Sequence, residues 1–180
     1  MMEVKRFVAM PKKTNFSVGI LTVLALTGVS SAQTVSNHNS AASVDFSAGD
    51  VELQLRADRV FLTNGVKIEQ DGLSMTSSRM TVAYSDTRGL DIVRLDAIGG
   101  VTITKKDLKA TSDAAIYDLP NNLITLIGNV NLSQAGNRLR GGRLVVNLDA
   151  GRSTMTGESR LGDSRGRVSG TFKVKKKEGN

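Results

Sequence analysis

The feature that most constrains this chain is a threefold internal repeat. Residues 66–84, 101–119 and 130–148 align without a gap when Val66, Val101 and Val130 are superimposed. The apolar positions of the first copy are Val66, Ile68, Leu73, Met75, Met80, Val82 and Tyr84. Those of the second are Val101, Ile103, Leu108, Ala110, Ala115, Tyr117 and Leu119. The third has Val130, Leu132, Leu139, Leu144, Val146 and Leu148, with Asn137 breaking the pattern once. Within each copy apolar and polar residues alternate, so each short run is expected to form a strand with one face buried and the other wet. Helical spacing fits nowhere in residues 33–180. A unit of this size cannot bury its apolar face alone and must pack on its neighbours.

Turn-forming residues punctuate the runs: Asn64-Gly65, Asp71-Gly72, Gly99-Gly100, Pro120-Asn121-Asn122, Gly128-Asn129, Gly136-Asn137 and Asp149-Ala150-Gly151. Gly and Asn accept positive φ, and Pro presets the first turn residue, so these positions are expected to reverse the chain. Inside the copies, Ser77-Ser78, Ser112-Asp113 and Gly141-Gly142 occupy equivalent places, where a bend or bulge is expected between successive strands. The step from Val66 to Val101 is 35 residues and from Val101 to Val130 is 29, which predicts a longer hairpin within Ser85 to Gly100. The pattern implies an all-β, antiparallel sheet folded over on itself. A jelly roll and a short β-solenoid both satisfy it.

The ends of the chain read differently. Residues 1–32 have the layout of a cleaved export signal: Lys5, Arg6, Lys12 and Lys13, then an apolar stretch from Phe16 to Val29, then Ser30-Ser31-Ala32. The expected mature start is Gln33. Residues 33–49 are expected to be a flexible leader in which His38, the only histidine, is solvated. One domain is expected over 50–174, with a last short strand around Arg167 to Val174, and residues 175–180 form a basic tail. The full chain has formal charge +7. Removing four cations and Glu3 with the signal leaves 20 basic and 16 acidic side chains, or +4. The aromatics Phe46, Phe61, Tyr84, Tyr117 and Phe172 are not clustered as stacking platforms, so nucleic acid is not expected as a partner. An anionic lipid or glycolipid phosphate suits an exported, mildly basic protein better. With no cysteine, the fold tolerates an oxidising compartment without disulfides, and neither a thiol nucleophile nor a thiolate metal site can exist.

Three stretches carry a resemblance to a known family. They are Ala57-Asp58-Arg59-Val60, then Leu95 to Ile103 (LDAIGGVTI), then Leu126 to Leu132 (LIGNVNL), and the run Arg138 to Leu148 with Gly151-Arg152 to Gly157 continues the pattern. Together they resemble the lipopolysaccharide-transport proteins of the LptA/OstA type, over roughly Val51 to Gly157. Asn64 stands where that family often has a glycine. The resemblance implies a slightly opened β-jelly roll whose apolar interior holds the acyl chains of lipid A. It also implies a periplasmic location and head-to-tail assembly into a bridge, from an inner-membrane LptC-like protein to an outer-membrane LptD-like translocon. No cofactor and no metal are implied.

On this reading the candidate lipid contacts are the inward residues Leu53, Leu55, Val66, Ile68, Leu73, Met75, Met80, Val82, Tyr84, Val101, Ile103, Ala115, Tyr117, Val130, Leu132, Leu144 and Val146. Met75, Met80 and Tyr117 suit a deformable lining, and all of them equally suit an ordinary packed core. Nine cations, Arg56, Arg59, Lys67, Arg79, Lys105, Lys106, Arg138, Arg140 and Arg143, are candidates to meet lipid A phosphates at a groove mouth. The segments Asp50 to Leu55 and Arg167 to Val174 are expected to be free sheet edges able to template another copy, unless Arg167, Lys173 and Lys175 protect them.

Three rival functions share parts of this pattern. A glycosidase would need two positioned carboxylates; Asp86, Asp91, Asp96, Asp107, Asp113 and Asp118 exist but fall mostly at expected turns and strand ends, and an enzyme is not expected. A structural β-polymer would use the same repeat and edges without lipid. A membrane-anchored protein of the LptC type would keep the N-terminal segment.

Overall fold

The computed structural model describes residues 38–39, 41–86, 91–157 and 166–174. The expected export signal, the basic tail and the tip of the expected longer hairpin after Ser85 lie outside the described residues. Ten strands make one antiparallel sheet: β1 (Asp45–Ser47), β2 (Asp50–Gln54), β3 (Arg59–Gln70), β4 (Leu73–Ser85), β5 (Asp91–Lys105), β6 (Leu108–Asp118), β7 (Leu123–Gln134), β8 (Asn137–Asn147), β9 (Arg152–Thr156) and β10 (Ser169–Thr171). A 3-10 turn at Leu55–Ala57 separates β2 from β3, and no α-helix occurs among the described residues. The three sequence copies are the consecutive hairpins β3–β4, β5–β6 and β7–β8. Their alternation places Val66, Val101 and Val130 at 0–2% exposure.

The sheet runs β1-β3-β4-β5-β6-β7-β8-β10, and it does not close. β2 and β1 share β3, pairing with Arg59–Thr63 and Lys67–Glu69 respectively. At the other end β8 pairs with β10 through Arg138–Arg140 and with β9 through Arg143–Asn147. A long strand can serve two neighbours at each edge because every one of β3 to β8 is broken at mid-length. The mid-strand register shifts fall at Thr63/Val66, Thr76/Arg79, Ile98/Val101, Thr111/Ala114 and Ile127/Val130, and a separate one lies near the end of β4 at Ala83/Tyr84. The mid-strand breaks line up across the sheet as a crease, and the halves on either side become two facing layers.

The crease corrects one expectation. Asn64-Gly65, Gly99-Gly100 and Gly128-Asn129 do not reverse the chain; they lie inside β3, β5 and β7 as bulges. All six residues have positive φ, between 47° and 85°. The hairpin turns at Asp71-Gly72 and Ala135-Gly136 have the same left-handed pairs. Two successive left-handed residues can close a two-residue hairpin or bend a continuing strand, and local sequence does not separate the outcomes. Opposite the bulges sit Ser77-Ser78, Ser112-Asp113 and Gly141-Gly142, where a bend was expected. The fit is tight: a Cβ on Gly99 would lie 2.9 Å from the Cβ of Ser78. Asn64, at φ 64°, is a residue type that tolerates this region, which explains how it replaces a glycine there.

A second correction concerns the segment 33–49. β1 begins at Asp45 and pairs Phe46 with Ile68, so the sheet starts inside the expected flexible leader. His38 is buried, not solvated. The short run that pairs and the polar contacts that bury His38 are both long-range, which is why the polar composition of 34–43 concealed them.

The inward faces of the two layers form one apolar cluster from Leu62 to Leu148. Leu126 is 1% exposed within it, whereas its chain neighbour Ile127 is 41% exposed on the outer face. Leu126→Ala is therefore expected to cost about 2–5 kcal/mol in urea unfolding, against about 0.5 kcal/mol for Ile127→Ala; equal losses would contradict the two-layer arrangement.

Candidate functional site

Alternation along each strand decides what faces the space between the layers. Val66, Ile68, Leu73, Met75, Met80, Val82, Val101, Ile103, Ala115, Tyr117, Val130, Leu132, Leu144 and Val146 all point there and belong to one buried cluster. Three expected members do not. Tyr84 is only half-buried at the end of β4, and Leu53 and Leu55 are 62% and 73% exposed. Leu53 lies on the edge strand β2 and Leu55 in the 3-10 turn, where no second layer covers them. The structure adds Leu62, Leu95, Ala97, Leu108, Ala110, Leu119, Ile124, Leu126 and Leu148 to the lining. Four of these, Leu95, Ala97, Ile124 and Leu126, lie at alternate positions just upstream of the second and third aligned windows, which was the available signal.

The interior is filled by these side chains. A remaining cavity of about 10 Å³ lies among Leu73, Ile103 and Leu108 of one layer, Leu126 and Leu144 of the other, and Lys105. That is at the limit for holding one water molecule.

The edge of the interior away from the crease is closed differently. No backbone ladder joins the two layers there among the described residues. Instead, side chains and the N-terminal segment span this seam. Gln70 and Lys105 end β3 and β5 on one layer, and Tyr117 comes from β6 on the other. The Tyr117 hydroxyl donates to Oε1 of Gln70 at 3.0 Å, linking the layers directly. The His38 ring fits between them, with Nε2 2.9 Å from the Tyr117 hydroxyl and 3.2 Å from Gln70 Oε1. Lys105 Nζ donates to His38 Nδ1 at 2.8 Å, so Nδ1 accepts and Nε2 carries the proton of a neutral ring. The other Lys105 donors reach the Asp71 carbonyl at 3.1 Å and carboxylate at 3.3 Å. Two further bonds fasten the segment: Asn39 N–H donates to the Asp71 carboxylate at 2.7 Å, and Gln70 Nε2 donates to the Ala42 carbonyl at 3.0 Å.

The electrostatics follow from this packing. Burial and then the Lys105 charge lower the His38 pKa below 6.5. The Asn39 N–H bond is the main influence lowering the Asp71 pKa. Burial pushes the Tyr117 hydroxyl pKa well up.

Of the nine candidate phosphate-meeting cations, Arg56, Arg59, Lys67, Arg79, Lys106, Arg138, Arg140 and Arg143 are exposed. Lys105 alone is buried, at 7% exposure. Arg138 and Arg140, with Lys109 and Arg167, border shallow concavities of about 330 and 240 Å³ on the outer face. The carboxylates serve turns and pairs: Asp118 accepts from Asn121, Asp113 from Asn129, and Asp96 pairs with Arg94 at 2.8 Å. No described carboxylate is buried in the interior, and no described group of three acidic or histidine side chains is placed to hold a metal ion.

Comparison with known proteins matches residues 46–152 to a family described as LptA/(LptD N-terminal domain) LPS transport protein. A solved structure, LptH of Pseudomonas aeruginosa, is described as the LptA-homologous periplasmic component of the conserved lipopolysaccharide transport device. It superimposes with a TM-score of 0.67 at 16% identity, covering 76% of this chain and 99% of that one. At that identity the likeness establishes the fold, a slightly opened antiparallel β-jelly roll. No curated protein matches the chain.

Because the folded state holds His38 neutral, its lowered pKa makes the unfolded chain the better proton acceptor below about pH 6.5. The stabilising contribution is present above 6.5 and lost as the pH falls through and below it. His38 is the only histidine, so urea unfolding at about pH 7.5 and about pH 5.5 reads this group. Stability is expected to fall between them, and His38→Ala to flatten the difference. A pH-independent wild type would show that the ring is not buried neutral.

Proposed function

Because the chain belongs to the LptA/LptD N-terminal-domain family of lipopolysaccharide transport proteins, we propose that it binds lipopolysaccharide through the acyl chains of lipid A and carries it across the periplasm. Residues 1–32 direct export on this reading, and the P. aeruginosa protein that shares the fold is described as periplasmic. The chain acts by binding and transfer, not by catalysis.

The observation that carries the proposal is the continuous apolar lining between two layers that no backbone ladder joins along the seam among the described residues. Parting the layers there breaks side-chain contacts and the fastening of the N-terminal segment, and it leaves the strand ladders intact. The interior is filled by its own side chains, so acyl chains must displace contacts between the layers. Each buried methylene contributes about 0.8 kcal/mol, so one chain of ten contributes on the order of 8 kcal/mol toward that exchange. Met75, Met80 and Tyr117, each at 1% exposure or less, lie where a flexible lining would adapt.

The edges fit a bridge. β2 and β1 carry Asp45, Asp50 and Glu52 at the N-terminal edge, with Val51 and Leu53 exposed beside them. The C-terminal edge carries Arg152 on β9, and Arg167 and Lys173 flank β10 with Val168 and Phe172 exposed beside them. Opposite charge on unpaired edges favours head-to-tail strand addition between copies. The same edges would meet an LptC-like protein at the inner membrane and an LptD-like translocon at the outer membrane.

The packed interior is also what a structural β-polymer without lipid would have, and binding separates the two readings. Photo-crosslinking probes at Met80 and Tyr117, facing inward, are expected to capture lipopolysaccharide, and a probe at Thr81 on the outer face is not. Capture at none of them by folded protein would favour the polymer. N-terminal sequencing of the exported protein distinguishes a cleaved carrier, starting at Gln33, from an LptC-type anchored one. For the edges, Asp45→Lys combined with Glu52→Lys should shift concentration-dependent assemblies toward monomer in sedimentation. Unchanged assembly would rule out the charged N-terminal edge as the joining surface.

A further inference from the structure

Lys105 is an unusual cation. It follows Val101 and Ile103 on the inward face of β5, it borders the internal cavity, and its side chain is 6% exposed. Its three donors are taken by His38 Nδ1 and two oxygens of Asp71. Only the Asp71 carboxylate among these carries opposite charge, and it is 36% exposed. Burying an ammonium is costly unless it is well compensated. The compensation here comes partly from a segment, carrying His38, Asn39 and Ala42, that the sheet holds by hydrogen bonds to side chains before β1 begins.

We propose that Lys105 is the receptor for the phosphorylated head of an acyl lipid at the mouth of the interior, and that the His38 segment is a resident stand-in which the lipid displaces. The proposal rests on the lipid-carrying reading above. Displacing His38 releases the Lys105 donor that its Nδ1 now takes, at the mouth of the interior, where a phosphate oxygen would accept it in a charge-assisted hydrogen bond. The apolar chains below would enter between Leu73, Ile103 and Leu126, adjoining the cavity that Lys105 borders. Gln70, Lys105 and Gln134 occupy one equivalent position of the three sequence copies, each four residues after Val66, Val101 and Val130. The rim of the seam is therefore built from the repeat itself.

The test compares two ligands on full-length exported protein: lipid A bearing both phosphates, and the same lipid A after enzymatic dephosphorylation, in one detergent, by thermophoresis. Wild type is expected to bind the phosphorylated form about tenfold more tightly, the scale of one hydrogen bond to a charged group. Lys105→Met should erase that preference, the two lipids binding it with equal affinity to within roughly twofold. His38→Ala should tighten both lipids, because the stand-in no longer competes. No phosphate preference in wild type, a preference retained by Lys105→Met, or weaker binding of both lipids by His38→Ala would each overturn the proposal while leaving lipid carriage standing. Failure of wild type to bind either lipid would remove the carrier reading and this one together. Should Lys105→Met not fold, wild type labelled with 15N-lysine supplies the same decision: one buried lysine resonance should move with the phosphorylated lipid and not with the other.

Discussion

Everything in this fold depends on the crease, the line of bulges that crosses β3 to β8 at mid-strand. Without it the chain would be a flat sheet with one apolar face exposed to water. With it, each long strand supplies one segment to each of two layers, and the apolar face closes on itself. The crease is held by left-handed pairs on the odd strands, such as Gly99-Gly100, set against polar pairs on the even ones, such as Ser77-Ser78. The Ser78 hydroxyl donates to the Gly99 carbonyl at 2.7 Å, so the two sides of the bulge satisfy each other. A hydrogen bond between neighbouring strands thereby closes the break that the crease makes in the ladder.

The two long sides of the folded sheet are consequently unequal. At the crease the layers are joined by continuous backbone. At the opposite seam they are joined by Tyr117, Gln70, Lys105 and His38, a fully hydrogen-bonded polar cluster laid over an apolar interior. A satisfied network of this kind stabilises the closed form, and losing one member leaves the others unpaired in a buried place. Opening of a folded protein is easiest where side-chain contacts alone resist it. The seam is such a place, and under the proposed function it is the side where an amphiphile would enter with its chains inside and its head at the rim.

The open ends of the sheet have a separate logic. Short strands in pairs, β1 with β2 and β9 with β10, share one long strand at each edge, so each layer ends in its own short strand. Their unpaired backbone groups would invite uncontrolled association on a neutral surface. Under the proposed bridge, acidic side chains at one edge and basic ones at the other would join opposite edges and reject like ones, giving an open chain of copies instead of a closed dimer.

Much of this was legible before any coordinates. The period of two and the gap-free repeat determined an antiparallel β fold, and the alternation determined which side of each strand lies inside, because a one-residue slip would expose the whole apolar set. The same alternation runs on to Lys105, two residues after Ile103, whose charge made it read only as one of nine cations at a groove mouth. The tertiary structure decided what local chemistry leaves degenerate. Gly99-Gly100 bends a strand while Asp71-Gly72 reverses one, since both satisfy the same positive φ and only the pairing partners tell them apart. Leu53 and Leu55 stay outside because the edge has no second layer to cover them. His38, in a polar stretch with no period of its own, is buried by Tyr117, 79 positions away; a contact of that range is set by how the layers fold together, which no local pattern encodes.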